Sequence, residues 1–217
     1  GDAEQLEEEI RDISKQLKPA VFHDKNDVEQ LHWLRDRLIA SWQDPTSRGR
    51  ILYFHHPPYV TEATKWPQAQ TLAVRQNLRQ VLTEVKAELG EVTNKRPLVD
   101  LIINGHAHCL EYLRTADSGL ADANIPCLVC GGSGYSLRRQ RENGPDVLEV
   151  VDGHPQRVAT SHLFIGREGR GRRKRRPYSC LRINVKAGDP PQFVVQPIVV
   201  EKKHHHWQLS DVDSLTL

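Results

Sequence analysis

Apolar residues recur at spacings of three and four along the segment Val28, Leu31, Leu34, Leu38 and Trp42. That period is helical. Asn26 or Asp27 can cap the start, and Asp44-Pro45 stops the helix. An earlier stripe of Leu6, Ile10, Ile13 and Leu17 predicts another helix, ended by Lys18-Pro19. Its apolar face is narrow and its start acidic, so residues 1–19 read as a peripheral helix. Short continuous apolar runs at 50–54 and 98–103 read as buried strands. Between them lie a loop rich in Pro, Thr and Trp over 57–70 and a long helix over 71–89. That helix carries Leu72, Leu78, Leu82, Val85 and Leu89. Strand, helix and strand with connections of this length form a βαβ unit, with parallel strands and a right-handed crossover.

Beyond residue 109 the pattern changes. Residues 125–130 read as a buried strand ended by Gly131-Gly132-Ser133-Gly134. Residues 158–165, 178–185 and 192–200 read as further strands with no long helix between them, which predicts a second, largely antiparallel sheet or sheet edge. Residues 138–157 and 166–177 read as polar loops, and 202–217 as a loosely ordered tail. The expected fold class is α/β, with residues 1–201 in one domain.

A chain of 217 residues suits one domain of ordinary size. With 30 Lys and Arg against 28 Asp and Glu, the net charge of +2 does not by itself imply a nucleic-acid or membrane partner. No apolar run approaches the ~20 residues of a transmembrane helix, so no membrane partner is expected. The absence of methionine leads us to expect a fragment or a processed chain. The four cysteines are not spaced like a secreted disulfide framework. They fit a reducing compartment, and the cytoplasm is the expected location.

Two histidine clusters carry the candidate chemistry. His55-His56-Pro57-Pro58 follows the first predicted strand and Gly105-His106-Ala107-His108 follows the second. In open parallel sheets, ligands bind beyond the carboxyl ends of the strands, and neutral imidazole is a common ligand of transition metals. In extended backbone, residues i and i+2 point the same way, which would aim His106 and His108 at one site. Gly105 lets the chain leave the strand sharply, and the two prolines stiffen the turn after His56.

These residues resemble a known family. Gln30-Leu31-His32-Trp33-Leu34, the run from Ile51 to Tyr59, and Asn104-Gly105-His106-Ala107-His108 look like the later half of a calcineurin-like metallophosphoesterase. That family includes purple acid phosphatases and cyclic-nucleotide phosphodiesterases. The resemblance implies a β-sandwich flanked by helices, with the N-terminal part of the fold missing here. It implies hydrolysis of phosphate mono- or diesters at a dinuclear centre of Fe, Mn or Zn. His55, two residues before Pro57, would share a metal with His106, and His108 would bind the other metal. His56 falls at a variable position of the family and is not expected to be a ligand.

The family's Asp-x-His, Gly-Asp-x-x-Asp and Gly-Asn-His-Asp/Glu motifs do not occur in this sequence. Gly1-Asp2 is followed by Gln5 where a further acid should stand, and His23-Asp24 matches none of them. Two cations ~3.5–4 Å apart need anionic ligands to hold them together. The chain is therefore expected to supply the histidine half of a site, to bind metal weakly alone, and to be nearly inactive alone. No residue of it is assigned a catalytic role.

Other segments have competing readings. Gly132 and Ser133 could offer backbone amides to a phosphate, or simply make a tight turn; Arg138, Arg139 and Arg141 follow them. Cys127 and Cys130 could join His106 and His108 at zinc, but residues three apart on a strand face opposite sides. The basic run from Arg167 to Arg176 could bind nucleic acid, but it lacks interleaved aromatics, which argues for a solvated loop. His204-His205-His206 reads as part of the solvated tail. The rival readings of function are a catalytically inactive binding or scaffold protein of the same fold, and a nucleic-acid-binding module built on Arg167–Arg176.

Overall fold

The computed structural model describes residues 28–93, 96–134, 136–151, 153–169, 174–203 and 206–217. The expected helix over 4–17, the cap at Asn26 or Asp27, His23-Asp24, and His204 and His205 lie outside them.

The first helix, α1 (Val28–Gln43), buries Leu38 and packs Leu31, Leu34, Ile39 and Trp42 against the core. Val28, although on the apolar stripe, is exposed. The helix stops because the Asp44 carboxylate takes the Thr46 amide at 2.9 Å and the Ser47 hydroxyl at 2.9 Å. Such a side-chain turn competes with helix. The bonds from Thr46 and Ser47 also hold the Asp44 carboxyl below its ordinary value. The second helix, α2 (Ala69–Leu89), starts slightly earlier than its pattern suggests and ends at Gly90, whose φ of 54° favours glycine. It buries Leu78, Val81, Leu82, Val85 and Leu89, whereas Leu72 is exposed. Arg75 takes a place on the buried face, because its Nε donates to the Pro58 carbonyl at 2.9 Å and its guanidinium lies 4.5 Å above the Tyr59 ring.

Ten strands follow in two sheets among the described residues. They are β1 (Ile51–Phe54), β2 (Leu101–Asn104), β3 (Leu110–Thr115), β4 (Pro126–Cys130), β5 (Asp146–Val151), β6 (His154–Ile165), β7 (Tyr178–Lys186), β8 (Gln192–Lys203), β9 (His206–Ser210) and β10 (Leu215–Thr216). The first sheet has the order β1-β2-β4-β3-β6-β5. Its β1-β2-β4 part is parallel, and β3, β6 and β5 add antiparallel. The second sheet is antiparallel, with β8 between β7 and β10 and also paired to β9. The parallel βαβ unit forms as expected; of the strands expected in a second sheet, 178–185 and 192–200 form it, whereas 158–165 lies in β6 and joins the first sheet, so the chain is an α/β protein with one mixed and one antiparallel sheet.

Two of the loop and tail expectations are corrected. Residues 138–157 contain β5 and the start of β6, and residues 202–217 complete β8 and supply β9 and β10. The segment 110–115 is a strand that the apolar pattern did not mark.

The central strands of the mixed sheet are covered on both faces, whereas its edge strands β1 and β5 expose Ile51, Tyr53, Leu148 and Val150. One face packs on α1 and α2 through Ile102, Leu113, Cys127 and Val129. The other meets the antiparallel sheet through Leu101, Tyr112, Leu128, Phe193 and Val195. The result is three layers: helices, mixed sheet and antiparallel sheet. Among the described residues no helix is long and apolar enough to cross a membrane.

Candidate metal centre

Strands β1 and β2 pair in parallel with Phe54 opposite Asn104, so their carboxyl ends stop side by side. The Asn104 amide donates to the Phe54 carbonyl at 2.9 Å, and the Gly105 amide donates to the His55 carbonyl at 3.1 Å. These two bonds join the ends of the strands just where both histidine clusters begin.

His106 does not continue the strand. Its φ is 58°, in the left-handed region that non-glycine residues seldom occupy. The next residues turn tightly, with Ala107 N bonded to Gly105 O at 2.7 Å and Cys109 N to Ala107 O at 2.9 Å. The extended backbone expected through 105–108 is therefore absent, and with it the reason for His106 and His108 to aim together.

The left-handed kink turns the His106 ring toward β1. Its Nδ1 lies 3.2 Å from His55 Nε2, and its Nε2 lies 3.3 Å from the Gln68 side-chain oxygen. The His56 ring sits against it, with centroids 4.2 Å apart and planes at 46°. One ligand-capable atom from each of His55, His56 and His106 falls within 4.8 Å of the others. His108 is not in that group; its Nδ1 lies 3.3 Å from the Ser136 carbonyl oxygen. Of the three histidines expected as ligands, the structure brings His55 and His106 together, and it adds His56 in place of His108.

Two imidazoles of this group, His56 and His106, are held toward the neutral form. Burial, then the charges of Lys65, His56, His55 and His108, push His106 down to about 4. Burial, then His55 and Lys65, lower His56 as well. A neutral imidazole offers a lone pair, which is what a cation needs. The group contains no carboxylate.

Sequence reasoning passed over Gln68 and Lys65, and no motif marks them. They arrive through the turn after Glu62, where the amides of Lys65 and Trp66 bond back to the Glu62 carbonyl. The Glu62 carboxylate accepts the Thr64 amide at 2.8 Å, which stiffens the same turn.

The remaining candidates serve packing. Gly132 is buried; a Cβ there would lie 2.0 Å from the Ser179 hydroxyl. Its carbonyl accepts the Ser179 amide at 3.0 Å, and Ser133 next to it is exposed. Cys127 belongs to the helix-side core and Cys130 packs on the opposite side, toward the antiparallel sheet. All four cysteines are free thiols. In the basic run Arg167 is buried, and Arg175 clasps Glu201 through Nε and Nη2 at 2.5–3.0 Å. Residues 170–173 lie outside the described residues.

No family model matches this sequence, and no curated protein matches it either. Among solved structures the chain is similar to GAP50, the anchor in the inner membrane complex of Plasmodium, at 12% identity and a TM-score of 0.40. The match covers 92% of this chain and 47% of that one, so the chain spans about half of that protein's length. A likeness of this size carries no argument about function.

Proposed function

We propose that this chain supplies the histidine-bearing part of a metal-dependent phosphoesterase that hydrolyses phosphate mono- or diesters. The observation that carries the reading is the 3.2 Å approach of His55 Nε2 to His106 Nδ1, at the carboxyl ends of adjacent parallel strands. The three layers are compatible with the metallophosphoesterase sandwich that the histidine motifs suggest. Bound Fe, Mn or Zn would supply Lewis acidity and an activated water. The protein's own part is to hold His55 and His106 at a fixed spacing and to keep the His106 imidazole neutral. Lys65, whose charge is felt at both His56 and His106, favours an anionic substrate there. In this reading the carboxylates that a dinuclear centre needs come from polypeptide outside these 217 residues. The four free thiols suit a reducing compartment, the cytoplasm.

The test is metal analysis and hydrolysis of a chromogenic phosphate ester by the full-length protein. His55→Ala and His106→Ala should each lower the rate by more than about 100-fold, beyond the ~10–100-fold typical of residues that only hold a ligand in place. Unchanged turnover in both variants would end the enzyme reading. The 217-residue chain alone should be nearly inactive. A second reading, a binding or scaffold protein of the same fold, is favoured by the carboxylate-free donor group. It predicts no hydrolysis by the full-length protein under any metal.

A further inference from the structure

We propose that this chain binds a single divalent transition-metal ion on His55, His56 and His106, with His56 rather than His108 as the third ligand. The proposal does not rest on phosphoester hydrolysis, since a metal-binding chain without activity satisfies it equally.

The first ground is spacing. Zinc–imidazole bonds of about 2.0–2.1 Å in a tetrahedral site put neighbouring nitrogens about 3.3–3.4 Å apart. His55 Nε2 and His106 Nδ1 already stand at 3.2 Å. All three ligand-capable atoms lie within 4.8 Å, so ring rotation closes the remainder. The second ground is aim. The Gln68 side-chain oxygen accepts from His106 Nε2–H, which leaves the lone pair on Nδ1, the nitrogen that faces His55. A partner on the distal nitrogen is the usual way of fixing the tautomer of a ligating histidine. Gln68 is itself nearly buried, at 9% exposure, so this bond is held in place. The left-handed backbone at His106 is a third ground. Such a conformation is costly and persists where the surroundings impose it; here it swings the ring out of the strand direction and onto His55.

The donor set decides stoichiometry and metal class. Three imidazoles with no carboxylate suit Zn2+ or Cu2+ and not Ca2+ or Mg2+. Without an anionic bridge, a second cation a few ångströms away has nothing to offset the repulsion. A lone ion with three protein ligands keeps a position open for water or an anion.

Titration calorimetry with zinc chloride and the visible spectrum of the Co2+-loaded chain test this directly. One equivalent of Zn2+ and a four-coordinate Co2+ spectrum are expected. His56→Ala should weaken Zn2+ at least about 100-fold, Gln68→Ala about 10-fold, and His108→Ala less than about twofold. His106→Asn, which tolerates the left-handed backbone, should abolish uptake while keeping the fold, checked by circular dichroism. No uptake by the parent chain, two equivalents, or a larger loss from His108→Ala than from His56→Ala would each overturn the assignment. Absence of phosphatase activity in the full-length protein, with zinc binding intact, would instead count only against the function proposed above.

Discussion

Glu62 is fully buried, and its carboxylate is bound to the Thr64 amide and hydroxyl. Burial pushes its pKa up to about 7, against those two bonds and Lys65, with Glu111 adding in the same direction. The folded state thus keeps a proton that the unfolded chain releases near 4.5. Between these values the native state binds more protons, so this group's contribution to stability falls as pH rises from about 4.5 to 7. The loss is on the order of 3 kcal/mol. Glu62→Gln keeps the acceptor for Thr64 and removes the ionisation. Urea unfolding should show the variant gaining on its parent across that window. His106 acts with the opposite sign, because its folded pKa of about 4 lies below 6.5: its contribution is present above about 6.5 and is lost as pH falls toward 4. Only the difference between variant and parent isolates Glu62, and parallel pH curves would refute the idea. Gly131 makes a purely steric prediction. A Cβ there would fall 1.9 Å from the Ala107 carbonyl oxygen, so Gly131→Ala should cost about 1–3 kcal/mol in the same assay. At this scale His55 and His106 were legible as residues following strands. His56 was not, because motif resemblance placed it at a variable position. The expectation that His106 and His108 aim at one site assumed extended backbone, and a positive φ at His106 cannot be read from residue types.

A partly buried polar cluster joins α2 to Glu149 of β5. Tyr59 donates a short hydrogen bond to Asp122, and Arg79 reaches both the Tyr59 oxygen at 2.9 Å and the Asp122 carboxylate at 3.2 Å. Arg79 also bonds Glu149 of β5 at 3.1 Å, and Arg75 lies 3.7 Å from the same carboxylate. Removing one partner strands a charge that water does not reach, since Asp122 is only 2% exposed. Arg79→Leu should therefore destabilise by about 3 kcal/mol, and the cost should shrink in an Asp122→Asn background. Additive effects in that double-mutant cycle would mean that the two side chains are not coupled. A buried polar residue in β3 and exposed apolar residues in β5 made these two strands hard to read. β3 buries Glu111 among its apolar residues, where it accepts the Thr61 amide at 3.0 Å. β5 is an edge strand whose Leu148 and Val150 face solvent, so alternation marks no buried face. The helices and the β1-β2 unit were legible because their apolar periods are long or continuous. β1 was legible from its continuous apolar run, although its Ile51 and Tyr53 are exposed and not buried as expected; strands that interrupt such a run with polar residues leave no such trace.

The three layers divide the molecule's work. The histidine group belongs to β1 and β2 of the mixed sheet and to the loop leading into α2, whereas the C-terminal segment belongs to the antiparallel sheet. Leu217 exchanges backbone hydrogen bonds with Phe193 at 2.9 and 3.2 Å, and the Val212 carbonyl accepts from Gln196 at 2.9 Å. Leu215 and Leu217 pack on the core between the sheets, beside Phe193 and Val195. Stopping the chain after Asp211 removes β10 and half-exposes Phe193 and Val195. Two partly buried leucines are worth about 1–3 kcal/mol together, and the lost backbone bonds add to that. The shortened chain should therefore unfold at lower denaturant than its parent. It should still take up Zn2+ with unchanged stoichiometry and affinity, because β10 pairs with β8 and not with β1 or β2, the strands that lead into His55, His56 and His106. Calorimetry at a temperature where both chains are folded separates the two effects. A truncated chain that remains folded yet loses zinc would show that the antiparallel layer sets the spacing of β1 and β2 through the intervening core, and the site would then be a property of the whole sandwich and not of one pair of strand ends.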